Sequence, residues 1–343
     1  MRIADDLRQS VIFLGYRDDT PGKGGIDCIG TGFLLQYKGA PYLITAGHIA
    51  QELGGDPFLI RLNTKKGGSQ NVHVDGLPWI MPADPKVDVA ASMMIVPHQN
   101  YYDVAYFNGD RYMLSDVDWD RLHIGVGNLT YTIGLFRLLA GEKRNLPIAY
   151  MGNIALVPGD EKIPVVDWTD PDEQRIIGVD AFLVASQSLD GLSGSPVFVR
   201  PEINLNFPGI QNASVDTTDL AGPYADVRLL GVWQGSWRAR PDQVMAAQAG
   251  DDVMVPTGVG IVVSCQKIID LLETDEMQKA RAGFRQMLRQ ETAATPESTE
   301  GSKPAVAASP ASDTKFNHHE DFNSLSSAAV QSPGMPARDS GEN

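Results

Sequence analysis

The sequence predicts an all-β fold of sandwich or barrel type, and two observations carry that prediction. From about residue 10 to residue 265 the chain is a succession of short segments rich in Val, Ile, Leu and aromatics. Clusters of turn-forming residues separate them, and only one stretch shows helical rather than alternating periodicity. Many strands at close spacing with few helices point to packed sheets or a closed barrel.

In chain order, the strand segments are "SVIFLGY", "GTGFLLQY", "PYLITA", "FLIRLN", "VDVAASMMIV", "LTYTIGLF", "IAYMGNIALV", "DAFLVAS", "SPVFV", "RLLGVWQG" and "GVGIVVS". "DTPGKGG", "KKGGS", "PADPK" and "DWTDPDE" read as turns between them. After Cys265, "QKIIDLLETDEMQKARAGFRQMLRQ" brings Ile268, Ile269, Leu271 and Leu272 together at helical spacing, with Gly283 as the expected point of interruption. From Glu291 onward the chain is rich in Ala, Ser, Pro and Thr, a composition that buries too little to order itself. That tail is expected to be disordered and dispensable for catalysis. Phe316, Phe322, Leu325 and Val330 mark a segment, 316–330, that suits docking to a partner.

Composition narrows the function classes. A net charge of −15 argues against a nucleic-acid partner, which calls for a basic patch or stripe. No apolar run is long enough for a membrane span. The start, "MRIADDLRQSVIFLGYRDD", has acids ahead of a very short apolar run, unlike a secretory signal, so a cytoplasmic protein is expected. The two cysteines, Cys28 and Cys265, have no metal-ligand spacing and read as buried thiols.

The most informative stretch is "LDGLSGSPVFV", which places two glycines and two serines directly in front of an apolar strand. A serine hydroxyl becomes a useful nucleophile only with a base to take its proton and a group that orients the base. Acyl transfer also needs donors aimed at the developing oxyanion. Ser193 is the candidate nucleophile, with the backbone N–H groups of Gly191 and Ser193 as oxyanion donors.

Of six histidines, His48 stands apart, because the apolar segment "PYLITAGHIA" presents it at the end of a strand. His73 lies in a polar strand, His98 follows a proline, and His318 and His319 fall in the tail; His123 has no comparable setting. Asp88, at the head of "VDVAASMMIV", is the candidate orienting acid, ahead of Asp84 in the preceding turn. The resulting order is His, Asp, Ser. It excludes the α/β-hydrolase order, which starts with Ser, and the subtilisin order, which starts with Asp.

With that order, "GTGFLLQYKGAPYLITAGHIA", "VDVAASMM" and "GLSGSPVF" with "LLGVWQG" together resemble the trypsin/chymotrypsin-like serine proteases, closest to the bacterial glutamyl-endopeptidase-like branch. The resemblance covers roughly residues 10 to 272. It implies two six-stranded antiparallel β-barrels with the active site between them and a closing C-terminal helix. On this reading residues 1–120 form the first barrel, with His48 and Asp88, and residues 121–264 the second, with Ser193. Residues 265–290 form the helix and 291–343 the tail. The resemblance further implies a peptide or protein substrate, no metal or organic cofactor, and a first specificity pocket with Gln187 at its floor and Gly235 and Gly258 at its walls.

The chain departs from the family pattern in several places. Leu192 precedes Ser193, where zymogen-activated members carry an aspartate that pairs with a newly cleaved N-terminus. Trp233 or Gln234 stands where the family has a serine beside the triad acid. The segment between Arg200 and Val227 is a long insertion, readable as a lid or as a surface loop. Glutamyl preference calls for a histidine or cation near the pocket floor, and no such residue is evident. A non-catalytic module of protease fold, holding a peptide or recruiting a partner through its tail, is the alternative reading, since fold does not establish activity.

Overall fold

The computed structural model describes residues 3–20, 25–96, 100–137, 141, 143–169, 175–187, 191–201, 203–204, 214–215, 227–239 and 255–294. Most of the insertion after Arg200 and all of segment 316–330 lie outside the described residues, as do His98, His318 and His319. The chain divides into two units, Met1–Thr274 and Asp275–Asn343.

The first half builds a seven-stranded sheet. Helix α1 (Asp5–Gln9) leads into β1 (Val11–Asp18), β2 (Gly25–Tyr37) and β3 (Ala40–Thr45), and α2 (Gly47–Leu53) comes almost directly after β3. β4 (Phe58–Asn63), β5 (Ser69–Val74), β6 (Ala90–Met93) and β7 (Phe107–Asn108) complete the sheet. Its order is β5-β4-β1-β2-β3-β6, with β7 running parallel to β2. The described pairings therefore form an open path, not the closed first barrel that the resemblance implies. The edges account for this: β6 has four residues, and only Val74 of β5 is buried, so neither offers much apolar surface for closure.

Two short helices, α3 (Gly109–Tyr112) and α4 (Asp116–Arg121), lead into the second half. Its strands are β8 (Leu129–Gly134), β9 (Ile148–Leu156), β10 (Ile163–Val166), β11 (Ile176–Val179), β12 (Phe182–Ala185) and β13 (Pro196–Val199). β14 (Ile203–Asn204), β15 (Ser214–Val215), β16 (Arg228–Ala239) and β17 (Val255–Ser264) come after these. Six of the strands close into an antiparallel barrel in the order β12-β17-β16-β13-β8-β9. β10 and β11 pair with each other as a hairpin, and Ile163, Val165 and Val179 join Ala181, Leu183 and Ile261 in one buried cluster. All four residues of β13 are buried, which explains its unbroken apolar sequence. The indole of Trp233 fills the barrel beside Gly260, where an added Cβ would lie 1.9 Å from it.

Aromatic packing joins the sheet to the barrel. Phe33 on β2 stacks on Phe107 at 5.5 Å, and Phe107 meets Phe198 on β13 edge-on at 5.6 Å. This contact holds the strand after Ser193 against the sheet whose β3 leads into the helix of His48.

The C-terminal helical region is two helices, α5 (Cys265–Leu272) and α6 (Asp275–Ala294). The break falls at Glu273 and Thr274, where the Thr274 hydroxyl donates to the Leu271 carbonyl at 2.8 Å. Gly283 lies inside α6 and does not interrupt it. Both cysteines are unbridged and buried, and burial pushes the Cys265 thiol up to about 12. No helix among the described residues is long and apolar enough to cross a membrane.

Candidate active site

Strand β3 is buried along nearly its whole length and ends at Thr45, two residues before α2 begins. Gly47 and His48 form the first turn of α2, and the imidazole meets Asp88 in the segment just before β6. Since β6 pairs with β3, the segments holding the acid and the histidine are adjacent in the sheet. Asp88 grips His48 at two points. Its Oδ1 accepts from the backbone N–H of His48 at 2.8 Å, and its Oδ2 lies 2.8 Å from Nδ1.

Asp88 is fully buried, while the His48 side chain keeps 28% exposure. A buried carboxylate 2.8 Å from Nδ1 favours the tautomer with the proton on Nδ1, which leaves Nε2 as the basic nitrogen. Burial by itself pulls the imidazole pKa down. The charge of Asp88, its hydrogen bond and the more distant Glu52 outweigh that effect, so His48 titrates above its ordinary value. A base must be neutral to accept a proton, so activity depending on His48 is lost as pH falls through this raised pKa. The acid limb of the pH profile is therefore expected above about 6.5, the ordinary imidazole value. A rate-against-pH series would check it, and a limb below that value would contradict it. The stability linkage has the opposite sense: a raised histidine pKa stabilises the fold at low pH, and the contribution fades as pH rises through the folded pKa.

Ser193 lies on the turn into β13, between two left-handed glycines, Gly191 at φ 96 and Gly194 at φ 85. The turn is docked on the sheet. The Ser193 carbonyl accepts from Thr31 N–H at 2.8 Å, and the Thr31 hydroxyl donates to the Gly191 carbonyl at 2.5 Å. Thr45, three residues before His48, donates its hydroxyl to the Thr31 carbonyl at 2.8 Å, beside Gly194. The Ser193 turn thus rests on β2 and on the end of β3, the strand that leads into the helix of His48. Leu192 is buried and lies against Gly134, so the position before Ser193 is an apolar anchor.

The Ser193 hydroxyl donates to the Gln234 carbonyl at 3.1 Å and makes no hydrogen bond to His48. The structure thus pairs His48 with Asp88 and leaves the Ser193 hydroxyl on a neighbouring acceptor. Neither Gly191 N–H nor Ser193 N–H has an acceptor among the described residues. Asp84 is an exposed turn residue that accepts from Lys86 N–H, His73 pairs with Asp75 at the surface, and His123 lies outside the site. Gln187, Gly235 and Gly258 occur on or beside three adjoining barrel strands, β12, β16 and β17. Ser186 N–H donates to the Gly258 carbonyl at 3.0 Å, which brings Gln187 close to Gly258. An added Cβ at Gly235 or Gly258 would meet nothing within 4 Å, so space is open beside both.

Sequence reasoning did not single out Thr31 or Trp168, and it named Gln234 only as a departure beside the acid. Thr31 holds the Ser193 turn, Gln234 supplies the carbonyl under the Ser193 hydroxyl, and Trp168 packs beside Gly47. The Thr-Ala-x-His sequence that starts at Thr45 is a visible signal; Thr31 and Trp168 have none in a single sequence.

No protein-family model matches the chain, and no curated protein matches it. Among solved structures it is similar to the Rv3671c protease from M. tuberculosis in its active form, with TM-score 0.40 and 16% identity over 78% of this chain and 80% of that chain. The inactive form of the same protease gives TM-score 0.38 and 15% identity over 78% of this chain and 88% of that chain.

Proposed function

We propose that this chain is a serine-type endopeptidase that cleaves peptide bonds through an acyl-enzyme. The observation that carries the reading is the two-point grip of buried Asp88 on His48, beside a serine turn docked on the same strands. The mechanism requires the Ser193 hydroxyl to leave the Gln234 carbonyl for Nε2 of His48, which calls for a change of χ1 between staggered rotamers. Hydrogen bonds of this kind are often long or absent until substrate binds.

Nε2 then takes the Ser193 proton as Oγ attacks the peptide carbonyl. The N–H groups of Gly191 and Ser193 receive the oxyanion. As the tetrahedral intermediate collapses, His48 returns the proton to the leaving amine, and Asp88 stabilises the imidazolium throughout. Water, activated by the same imidazole, releases the acyl group. Gln187, Gly235 and Gly258 form the first specificity pocket in this proposal. None of them is cationic, so the acidic preference of glutamyl endopeptidases is not part of it. Segment 316–330 remains a proposed partner-docking motif.

A fluorophosphonate probe tests the proposal, with the modified residue located by mass spectrometry. Labelling of Ser193 in the full chain is expected without prior proteolysis, because buried Leu192 offers no carboxylate to a newly cleaved N-terminus. Labelling only after cleavage near the N-terminus would contradict that second expectation. One observation favours the alternative of a non-catalytic peptide-binding module, namely the Ser193 hydroxyl resting on Gln234. A chain that binds peptides and resists the probe would establish that alternative.

A further inference from the structure

Gly47 immediately precedes His48, and two groups from elsewhere converge on it. A Cβ added there would lie 2.9 Å from Cη2 of Trp168 and 3.0 Å from Oδ1 of Asp88. The tip of the indole and the acid's Oδ1 therefore lie against the same Cα. Asp88 is fully buried, and its hydrogen bonds come from the backbone and ring of His48. Buried carboxylates are normally held by several donors. Here an aromatic edge packs on the same glycine as Oδ1.

Trp168 is held in place from below. It lies just past β10, and the residue before it, Asp167, is almost wholly buried. Asp167 Oδ1 accepts from the Thr169 N–H at 3.0 Å and its hydroxyl at 2.6 Å, and Oδ2 pairs with the Arg175 guanidinium across the hairpin. The Thr169 hydroxyl, with Arg175, pulls the Asp167 pKa down to about 2, so this clamp stays ionised through the working range of a histidine. The Trp168 Nε1–H is buried without a hydrogen-bond partner among the described residues. Its own polar chemistry therefore does not account for its position, whereas packing on Gly47 does.

We propose that Trp168 is a positioning residue that excludes water from Oδ1 of Asp88, so that the carboxylate acts on His48 through a low-dielectric contact. Its relevance to catalysis rests on the endopeptidase reading, but its effect on His48 does not. Among the described residues, the charged groups that act on His48 are Asp88, from the segment before β6, and Glu52, from its own helix. On the hairpin, Asp167 and Arg175 neutralise one another. Opening the site by truncating Trp168 lets water solvate Asp88 and weakens its hold on the imidazolium; in this proposal that loss outweighs the relief of the imidazole's own burial, so the His48 pKa falls.

The test is an NMR titration of the His48 imidazole in the full chain, with Trp168→Ala and Trp168→Phe. Trp168→Ala is expected to lower the His48 pKa by about one unit, the scale on which a neighbouring charge moves a titration. Trp168→Phe, which keeps an apolar ring but loses the outer edge of the indole, is expected to shift it in the same direction by less. The acid limb of the labelling-rate profile should move with it. Lost thermal stability with an unmoved His48 titration is the signature of a merely structural residue and would overturn the inference. If Trp168→Ala fails to fold, Trp168→Phe decides, and a titration equal to wild type, or one shifted upward, would overturn it. Absence of probe labelling in the wild type would overturn the protease reading and leave the titration result standing.

Discussion

Replacing Ser193 by alanine is expected to eliminate probe labelling and to lower peptide turnover by on the order of 10⁴–10⁶-fold, with His48→Ala close to the same loss. Members of a triad act as a unit, so removing either one leaves only binding and oxyanion stabilisation. The melting temperature should barely move for Ser193→Ala, because the hydroxyl makes a single hydrogen bond, to the Gln234 carbonyl. Ser195→Ala is the matched control. Ser195 is fully buried, its hydroxyl lacks a partner among the described residues, and it packs where Gly134 leaves room. Loss of activity in Ser195→Ala with retention in Ser193→Ala would mean that the nucleophile has been placed two residues too early.

The pairing of His48 with Asp88 was legible in the sequence because each residue stands at the end of a strong apolar run. Such runs are hard to misplace, since a slip of one residue would turn every buried side chain outward. The hairpin of β10 and β11 was not legible. "IPVV" and "IIGV" have four residues each, one contains a proline, and one outward face carries exposed Val166 and Ile176. Periodicity over four residues does not separate a strand from a loop. Trp168 consequently reads as part of a turn, and its contact with Gly47 joins positions about 120 residues apart, beyond any local signal. The open first sheet has a similar origin. "QNVHV" reads correctly as a polar strand, but whether its free edge finds a partner depends on surface buried elsewhere. At the C-terminus, Gly283 suggests an interruption on propensity, yet a Cβ there would meet nothing and its φ is not in the left-handed region. The helix instead breaks at Glu273 and Thr274, where the Thr274 side chain takes up a carbonyl that helix continuation would have bonded.

Gly194→Ala is expected to be the most disruptive conservative change in the site. The residue has φ 85, a region that disfavours L side chains whatever space surrounds them. Here space is lacking as well. An added Cβ would lie 2.0 Å from the Thr31 carbonyl oxygen and 2.4 Å from the Thr45 hydroxyl. The Thr31 carbonyl is backbone in the middle of β2 and already accepts from Thr45 at 2.8 Å, so it has little freedom to retreat. Relief has to come from the turn itself. Moving the turn off Thr31 breaks the bond from Thr31 N–H to the Ser193 carbonyl, and Gly194 N–H loses its partner, the Trp233 carbonyl at 2.9 Å. Strain at the special dihedral and an unrelieved backbone clash together are expected to cost about 3 kcal/mol or more. At roughly 2–4 °C per kcal/mol for a domain of this size, the melting temperature should fall by about 6–12 °C. Probe labelling should disappear even at temperatures where the variant is folded, because Ser193 and its two N–H groups move with the turn. Gly125→Ala is the control, since no atom lies within 4 Å of its added Cβ and its φ is not in the left-handed region; it should melt and label as wild type. A Gly194→Ala variant with wild-type melting and labelling would show that the turn does not depend on its contact with Thr31 and Thr45, and the docking of the nucleophile on the strands of the base would lose its support.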